Sequence, residues 1–317
     1  MHILRSLFAG LVLCLALHEE ADGARRCDIT SFDQPCQVQG GVYRALVPEG
    51  TGPHPTVVYL YGSGGRSTEI TRHRYFRQAI VDRGYALLVP AARDVTYVGN
   101  VRDTGWSLRN RREPQRDDVT FLRRVLDDAE GRFRIDRNRV LFAGQSDGGF
   151  LIWEIACHEP DLAAAYAVHA GSYGGALPER CARPVRFLHA HGRQDDVVPF
   201  QGERRNWGRV TSADVRQGLA LLARTNRCAS ETPRAPVPFH GFQRVTWRNC
   251  AIGSALDFLI HEGGHGYPGR WMPAVLDWFS SQVAERQPLV QGSSTRFLRP
   301  TTENSRFKKI GKGSKSN

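Results

Sequence analysis

Short apolar runs, each bounded by polar or turn residues, recur along this chain at intervals filled by amphipathic stretches. The runs are TVVYLYGSGG (56–65), YALLVP (85–90), RVLFAG (139–144), AAYAVHAG (164–171), VRFLHAHG (185–192) and LDFLIH (256–261). Unbroken apolar runs of this length read as strands covered on both faces, the habit of parallel sheets. GGFLIWEIACH (148–158), SADVRQGLALLARTN (212–226) and MPAVLDWFSSQV (272–283) read as helices, with Ser212 as the N-cap of the second. Strands and helices in alternation predict a doubly wound α/β sheet.

One strand-to-helix junction carries chemistry. Gly144-Gln145-Ser146-Asp147-Gly148 is a G-x-S-x-G between the strand at 139–144 and the helix at 148–158. A sharp turn there strains the serine backbone, and side chains at the flanking positions would collide with the neighbouring strand and helix, hence glycine. A serine nucleophile needs a base, and the base needs an orienting acid. Downstream, the strand at 185–192 leads into a loop with Asp195 and Asp196, and the strand at 256–261 leads into a loop with His265. Both candidates follow strands at the carboxyl ends, where sites of open α/β sheets gather. The order is serine, then Asp195 or Asp196, then His265. The second loop also reads HEGGH (261–265), the zinc-protease pattern. That chemistry requires both histidines on one helix face. Gly263, Gly264 and the nearby Pro268 make a poor helix, so no metal site is expected.

These motifs resemble those of the secreted polyhydroxybutyrate depolymerase and feruloyl esterase group of α/β-hydrolases. The acid loop of that group, H-G-x-x-D-x-x-V-P-Y, is matched by HGRQDDVVPF, which places the acid at Asp195 rather than Asp196. Its histidine loop, G-G-H-x-W-P-G, is matched by GGHGYPG, which selects His265. DDVTFLRRVLDD (117–128) followed by IDRNRV resembles the helix and strand that precede the nucleophile in the group, and the likeness runs over about residues 27–280. The resemblance implies an α/β-hydrolase fold: a mostly parallel eight-stranded sheet with helices on both faces. It implies a Ser146–His265–Asp195 triad. It also implies an oxyanion hole from two backbone N–H groups, that of Asp147 after the nucleophile and that of Ser63 in the loop after the strand at 56–60. Each such donor is worth about 3–4 kcal/mol. Where the group has His-Gly in that loop, this chain has Tyr61-Gly62. Trp106 and Tyr267, the latter in place of the group's tryptophan, are the candidate substrate contacts.

Composition sets the surroundings. The chain has 317 residues, 41% of them hydrophobic, enough for one large α/β domain without a cofactor. At the start, Arg5 precedes an apolar stretch at 7–17 and a polar region with small residues. That is the pattern of a secretory leader, placed at residues 1–23, and is too short for a transmembrane span. Cys14 falls inside it, leaving Cys27, Cys36, Cys157, Cys181, Cys228 and Cys250. An even count in an exported chain predicts disulfides, and pairing in sequence order is the simplest of the 15 arrangements. The catalytic domain is placed at residues 24–289. The formal charge is +11, and all four lysines lie in the last ten residues. Residues 290–317 read as a basic, disordered tail. Such a tail can make a weak, salt-screened contact with an anionic surface; without interleaved aromatics, nucleic-acid binding is not expected. The reading is therefore of a secreted, extracellular or periplasmic serine esterase. Its partner is an ester substrate: a hydroxyalkanoate oligoester, a feruloyl ester or an acetyl ester. A non-catalytic binding protein or a serine peptidase on the same fold are the alternatives.

Overall fold

The computed structural model describes residues 27–30, 32–96, 102–108, 116–205 and 209–284. The leader expected at 1–23 and the tail expected at 290–317 lie outside the described residues.

The strands, in chain order, are β1 (Cys36–Val38), β2 (Gly41–Leu46), β3 (His54–Leu60), β4 (Ala86–Pro90), β5 (Arg93–Thr96), β6 (Arg102–Gly105), β7 (Ile135–Gln145), β8 (Ala165–His169), β9 (Arg186–Gly192), β10 (Glu203–Arg205), β11 (Arg209–Ser212), β12 (Val237–Phe239), β13 (Phe242–Thr246) and β14 (Ala255–His261). The helices are α1 (Ser67–Arg72), α2 (Arg74–Val81), α3 (Asp118–Phe133), α4 (Asp147–His158), α5 (Val215–Thr225) and α6 (Trp271–Ala284). One large sheet has the order β1-β2-β4-β3-β7-β8-β9-β14-β13-β12. Its six central strands, β4 to β14 in that order, pair in parallel. Two antiparallel pairs extend it at each side.

The central strands are buried along their length. Every residue of β4, β8 and β9 is buried, as are residues 56–60 of β3. Successive side chains in a strand point to opposite faces, so continuous burial means that both faces are covered. Helix α4 packs on β7, β8 and β3, while α2 packs on β4 and against α6. Helix α3 shows how local signals fix its ends. The Asp117 side chain accepts the Thr120 N–H at its start, and Arg134 at φ 52° ends it in the left-handed conformation. Between them Phe121, Leu122, Val125, Leu126 and Ala129 form the buried stripe.

Two expectations need correction. The sheet has ten strands, not eight. The additional edge strands β1 and β12 are three residues each, too short to carry an alternating pattern, and β1 begins at a disulfide-bonded cysteine. The second predicted helix starts at Val215, not after Ser212. Ser212 ends β11, and the Asp214 carboxylate takes the capping role by accepting the Arg216 N–H. Both residues are good caps; the pairing of β10 with β11, whose strands are too short to show a period, decides between them.

Three disulfides join Cys27 to Cys36, Cys157 to Cys181 and Cys228 to Cys250, the sequential pairing. Among the described residues no helix is long and apolar enough to cross a membrane.

Candidate active site

The parallel strands β3, β7, β8, β9 and β14 all end at the same edge of the sheet, and each contributes there. Ser146 sits between β7 and α4 with φ 52° and ψ −121°. A non-glycine residue in such a conformation costs on the order of 1–3 kcal/mol and persists only when its surroundings impose it. Here they do. A Cβ on Gly148 would lie 2.1 Å from the Leu60 carbonyl oxygen, and one on Gly144 would lie 2.7 Å from that same oxygen. Glycine at both positions lets β7 and α4 close onto β3. The turn is then fastened by the Ser146 N–H donating to the His169 carbonyl (3.1 Å) and the Phe150 N–H donating to the Ser146 carbonyl (2.9 Å).

Asp195 lies beyond β9, buried, while its neighbour Asp196 is exposed. Asp195 Oδ1 accepts the backbone N–H groups of Val197 (3.0 Å) and Val198 (2.8 Å). His265 Nδ1 lies 3.0 Å from Oδ2 and 3.1 Å from Oδ1. Burial by itself would push the Asp195 carboxyl up. Hydrogen bonds from His191, His265 and the Val198 N–H outweigh burial and hold it well below the usual carboxylate range. An ionised carboxylate facing Nδ1 fixes the His265 proton there and leaves Nε2 with its lone pair, the form a general base requires.

The loops carrying Asp195 and His265 are built as a pair. The Arg193 N–H donates to the His261 carbonyl (2.8 Å), and the Gln194 N–H donates to the Gly263 carbonyl (3.1 Å). A Cβ on Gly192 would lie 2.1 Å from the Gly263 carbonyl oxygen, so only glycine permits this approach. The Gln145 side-chain amide donates to the His265 carbonyl (3.1 Å) and ties the pair to the residue before Ser146.

The HEGGH stretch is not a helix. His261 ends β14, and its Nδ1 accepts the Gly263 N–H (3.1 Å). Its Nε2 meets His169 Nε2 at 3.0 Å, while His265 turns to Asp195. The two histidines therefore serve different partners.

The early loop after β3 comes directly against Ser146. A Cβ on Gly62 would lie 3.1 Å from Ser146 Cβ. The Tyr61 hydroxyl accepts the Ala92 N–H (2.7 Å), and the Tyr61 carbonyl accepts the Trp106 indole N–H (2.8 Å). Trp106 in turn donates its backbone N–H to the Asp147 carboxylate (2.8 Å). The Gly64 N–H donates to the Thr104 carbonyl (3.0 Å), so the loop with Ser63 is braced along its length by the β5–β6 hairpin and the residues after it. Asp147 opens α4, where the first backbone N–H groups have no intrahelical acceptor. Trp106 has no exposed surface, whereas Tyr267 is half-buried beside Phe76, His169 and Trp271.

Sequence reasoning missed the buried histidines. His189 and His191 stand two apart in β9 and so share one face of the strand; His169 ends β8. A pair of imidazoles at strand spacing just before the acid loop was the available signal.

No protein-family model matches the chain. Among known proteins, it is 27% identical over 249 residues to NocK of Nocardia uniformis subsp. tsuyamanensis, a protein named as an esterase, covering 72% of this chain and 68% of that protein. It is 22% identical over 273 residues to a protein of Aspergillus niger named as feruloyl esterase C, covering 82% of this chain and 91% of the relative. Among solved structures, the acetyl xylan esterase from Aspergillus awamori superposes with a TM-score of 0.52 at 15% identity, over 75% of this chain and 93% of that one. Together with the sheet described above, that likeness gives the α/β-hydrolase fold.

Proposed function

We propose that this α/β-hydrolase is a secreted serine esterase in which Ser146, His265 and Asp195 act as nucleophile, base and orienting acid. The observation that carries the reading is the Asp195–His265 pair, with Nδ1 3.0 Å from a carboxylate oxygen, presented at the sheet edge where Ser146 occupies its strained turn. Ser146 Oγ attacks the ester carbonyl and its proton passes to His265 Nε2. The tetrahedral oxyanion is received by the N–H groups of Ser63 and Asp147. Collapse expels the alcohol, which takes the proton back from His265. Water, activated by the same imidazole, then releases the acid from the acyl-enzyme.

The relatives are named for ester cleavage, which favours this reading over a peptidase or a non-catalytic fold. Feruloyl and acetyl esters stand first as substrates because those are the acyl groups named in the relatives and the structural neighbour. Hydroxyalkanoate oligoesters rest on the motif resemblance alone. Tyr267, two residues beyond the base and half-buried, is the proposed acyl contact. Trp106 has no surface to offer a ligand and acts by holding the carbonyl of Tyr61 in the oxyanion loop. Export is supported by the three disulfides, which persist in oxidising compartments.

The test is a panel of aryl, feruloyl, acetyl-xylan and hydroxybutyrate esters with the wild-type protein and Ser146→Ala, together with a fluorophosphonate probe. Turnover of at least one ester, labelling at Ser146 and loss of both in the variant are expected. Full activity in Ser146→Ala, or labelling elsewhere, sinks the assignment.

A further inference from the structure

We propose that His191 is a positioning residue for the acid of this site: a second histidine, besides His265, that donates a hydrogen bond to Asp195. The proposal rests on the triad reading above and deepens it.

The two oxygens of Asp195 are served differently. Oδ1 accepts two backbone N–H groups, from Val197 and Val198, and lies 3.1 Å from His265 Nδ1. Oδ2 faces two imidazoles, His265 Nδ1 at 3.0 Å and His191 Nε2 at 3.3 Å. The side chains of His191 and Asp195 are 1% and 0% exposed, so water does not substitute for the contact. With His191 in place, Oδ2 has a second imidazole partner that restrains the carboxylate, and the carboxylate sets the orientation of the base.

The proton positions follow from the partners. His191 Nε2 also lies 2.9 Å from the Val198 carbonyl oxygen, which can only accept. Nε2 therefore carries the proton, 2.9 Å from that carbonyl and 3.3 Å from Asp195 Oδ2. His191 Nδ1 then has the lone pair, and it accepts from His189 Nε2 at 3.0 Å. That leaves the lone pair of His189 on Nδ1, which has no hydrogen-bond partner and lies in a wall formed by Trp153 and Phe258. An unpaired acceptor in apolar surroundings costs less than an added charge there, and burial, then the neighbouring imidazoles, keep His189 neutral by holding its pKa well below the ordinary histidine value. The result is a one-way series of donors: His189 to His191, and His191 to the oxygen that also receives His265. The titratable groups around His191 are His189 and Asp195 in direct contact, and His169 on β8 and His261 on β14 across the strand pairings.

A tie to the Val198 carbonyl alone would make His191 a loop fastener. The two roles differ in what a substitution does to chemistry. Removing a donor from Oδ2 leaves more negative charge facing His265. The imidazolium then holds its proton more tightly, and the acid limb of the kcat/KM profile moves to higher pH. Loss of a fastener lowers the whole profile without moving it.

The test compares His191→Phe, His191→Gln and His191→Asn in the full chain with 4-nitrophenyl acetate as probe. A glutamine amide can stand where Nε2 stands, whereas asparagine falls short of Asp195. His191→Phe is expected to lower kcat roughly tenfold with KM little changed, because a hydrogen bond to a charged group is removed from the reacting assembly. Its acid limb should shift upward. Glutamine should restore most of kcat and the limb; asparagine should not. Should the Phe variant fail to fold, the contrast between Gln and Asn decides. Wild-type kcat in His191→Phe, or equal losses in all three variants with an unmoved acid limb, overturns the proposal. Ser146→Ala separates the two readings. If it is inactive while His191→Phe is fully active, only the role of His191 falls. If it retains activity, the triad itself is wrong.

Discussion

Ser146 is held by the backbone of its own junction, whereas Asp195 and His265, 70 residues apart in sequence, are held by hydrogen bonds between loops. At the first, sterics do the work: Gly144 and Gly148 let a strand and a helix touch β3, and the strained conformation of Ser146 follows. At the second, two backbone bonds, one carboxylate and a set of buried imidazoles fix the geometry. A steric constraint fails abruptly when atoms are added. A hydrogen-bonded one degrades in steps as donors are removed. The two halves should therefore respond differently to substitution, and the following outcomes test that.

The largest effect is on turnover. Ser146→Ala should lower kcat for any accepted ester by at least about 10⁴-fold while leaving the thermal midpoint near wild type. Asp195→Asn should cost about 10³- to 10⁴-fold in kcat, since it loses the charge that fixes the tautomer of the base, and Asp196→Asn should stay within about twofold. Comparable losses at both aspartates would show that the loop is misassigned. On the steric side, Gly148→Ala should destabilise the fold by about 3 kcal/mol or more, read as a large drop in the urea midpoint, because its Cβ would lie 2.1 Å from the Leu60 carbonyl oxygen and 2.7 Å from that of Tyr61. A stable Gly148→Ala protein would mean that the turn has slack.

A smaller effect appears in the pH dependence of stability. Burial, then the surrounding imidazoles, hold both His169 and His189 well below the ordinary histidine value. The unfolded chain accepts protons at these positions that the folded protein refuses. Their contribution is complete above the unfolded value of about 6.5 and is lost as the pH falls below it. The urea midpoint should fall between pH 7 and pH 5, and His189→Phe should flatten that fall. A wild-type midpoint constant over this range would show that these histidines are not buried neutral. The smallest effect is expected at the brace of the loop after β3, the proposed oxyanion loop. Trp106→Phe keeps an aromatic ring but loses the indole donor to the Tyr61 carbonyl. It should lower kcat by about three- to tenfold with little change in KM; a change confined to KM would instead mark Trp106 as a substrate contact.

What could be read from the chain follows the same division. The strands β3, β4, β7, β8, β9 and β14 each contain a short, mostly apolar run, and the serine turn announces itself through two glycines at fixed offsets; both signals are local. The choice of Asp195 over its exposed neighbour came from motif register, not from any property of the two carboxylates in isolation. The edge strands β1 and β12 and the hairpin of β10 with β11 were hidden because three- and four-residue strands have no period to detect. The pairing of His169 with His261 joins residues 92 apart in sequence, and only the strand order brings them together. Trp106 looked like a pocket wall because a tryptophan in a loop usually shows a face; here its two N–H groups are both spent on the scaffold.

The contact of Gly192 with Gly263 has a consequence for how this protein could change over generations. The loop after β9 and the loop after β14 meet main chain to main chain at Gly192 and Gly263, where the approach leaves no room for a Cβ. A residue inserted into either would displace the other, so the two are a single inherited module. Lengthening one alone would separate acid from base before it widened the site. New acyl preferences should therefore be acquired elsewhere around the sheet edge, and a graft that moves this pair between proteins should carry both loops together.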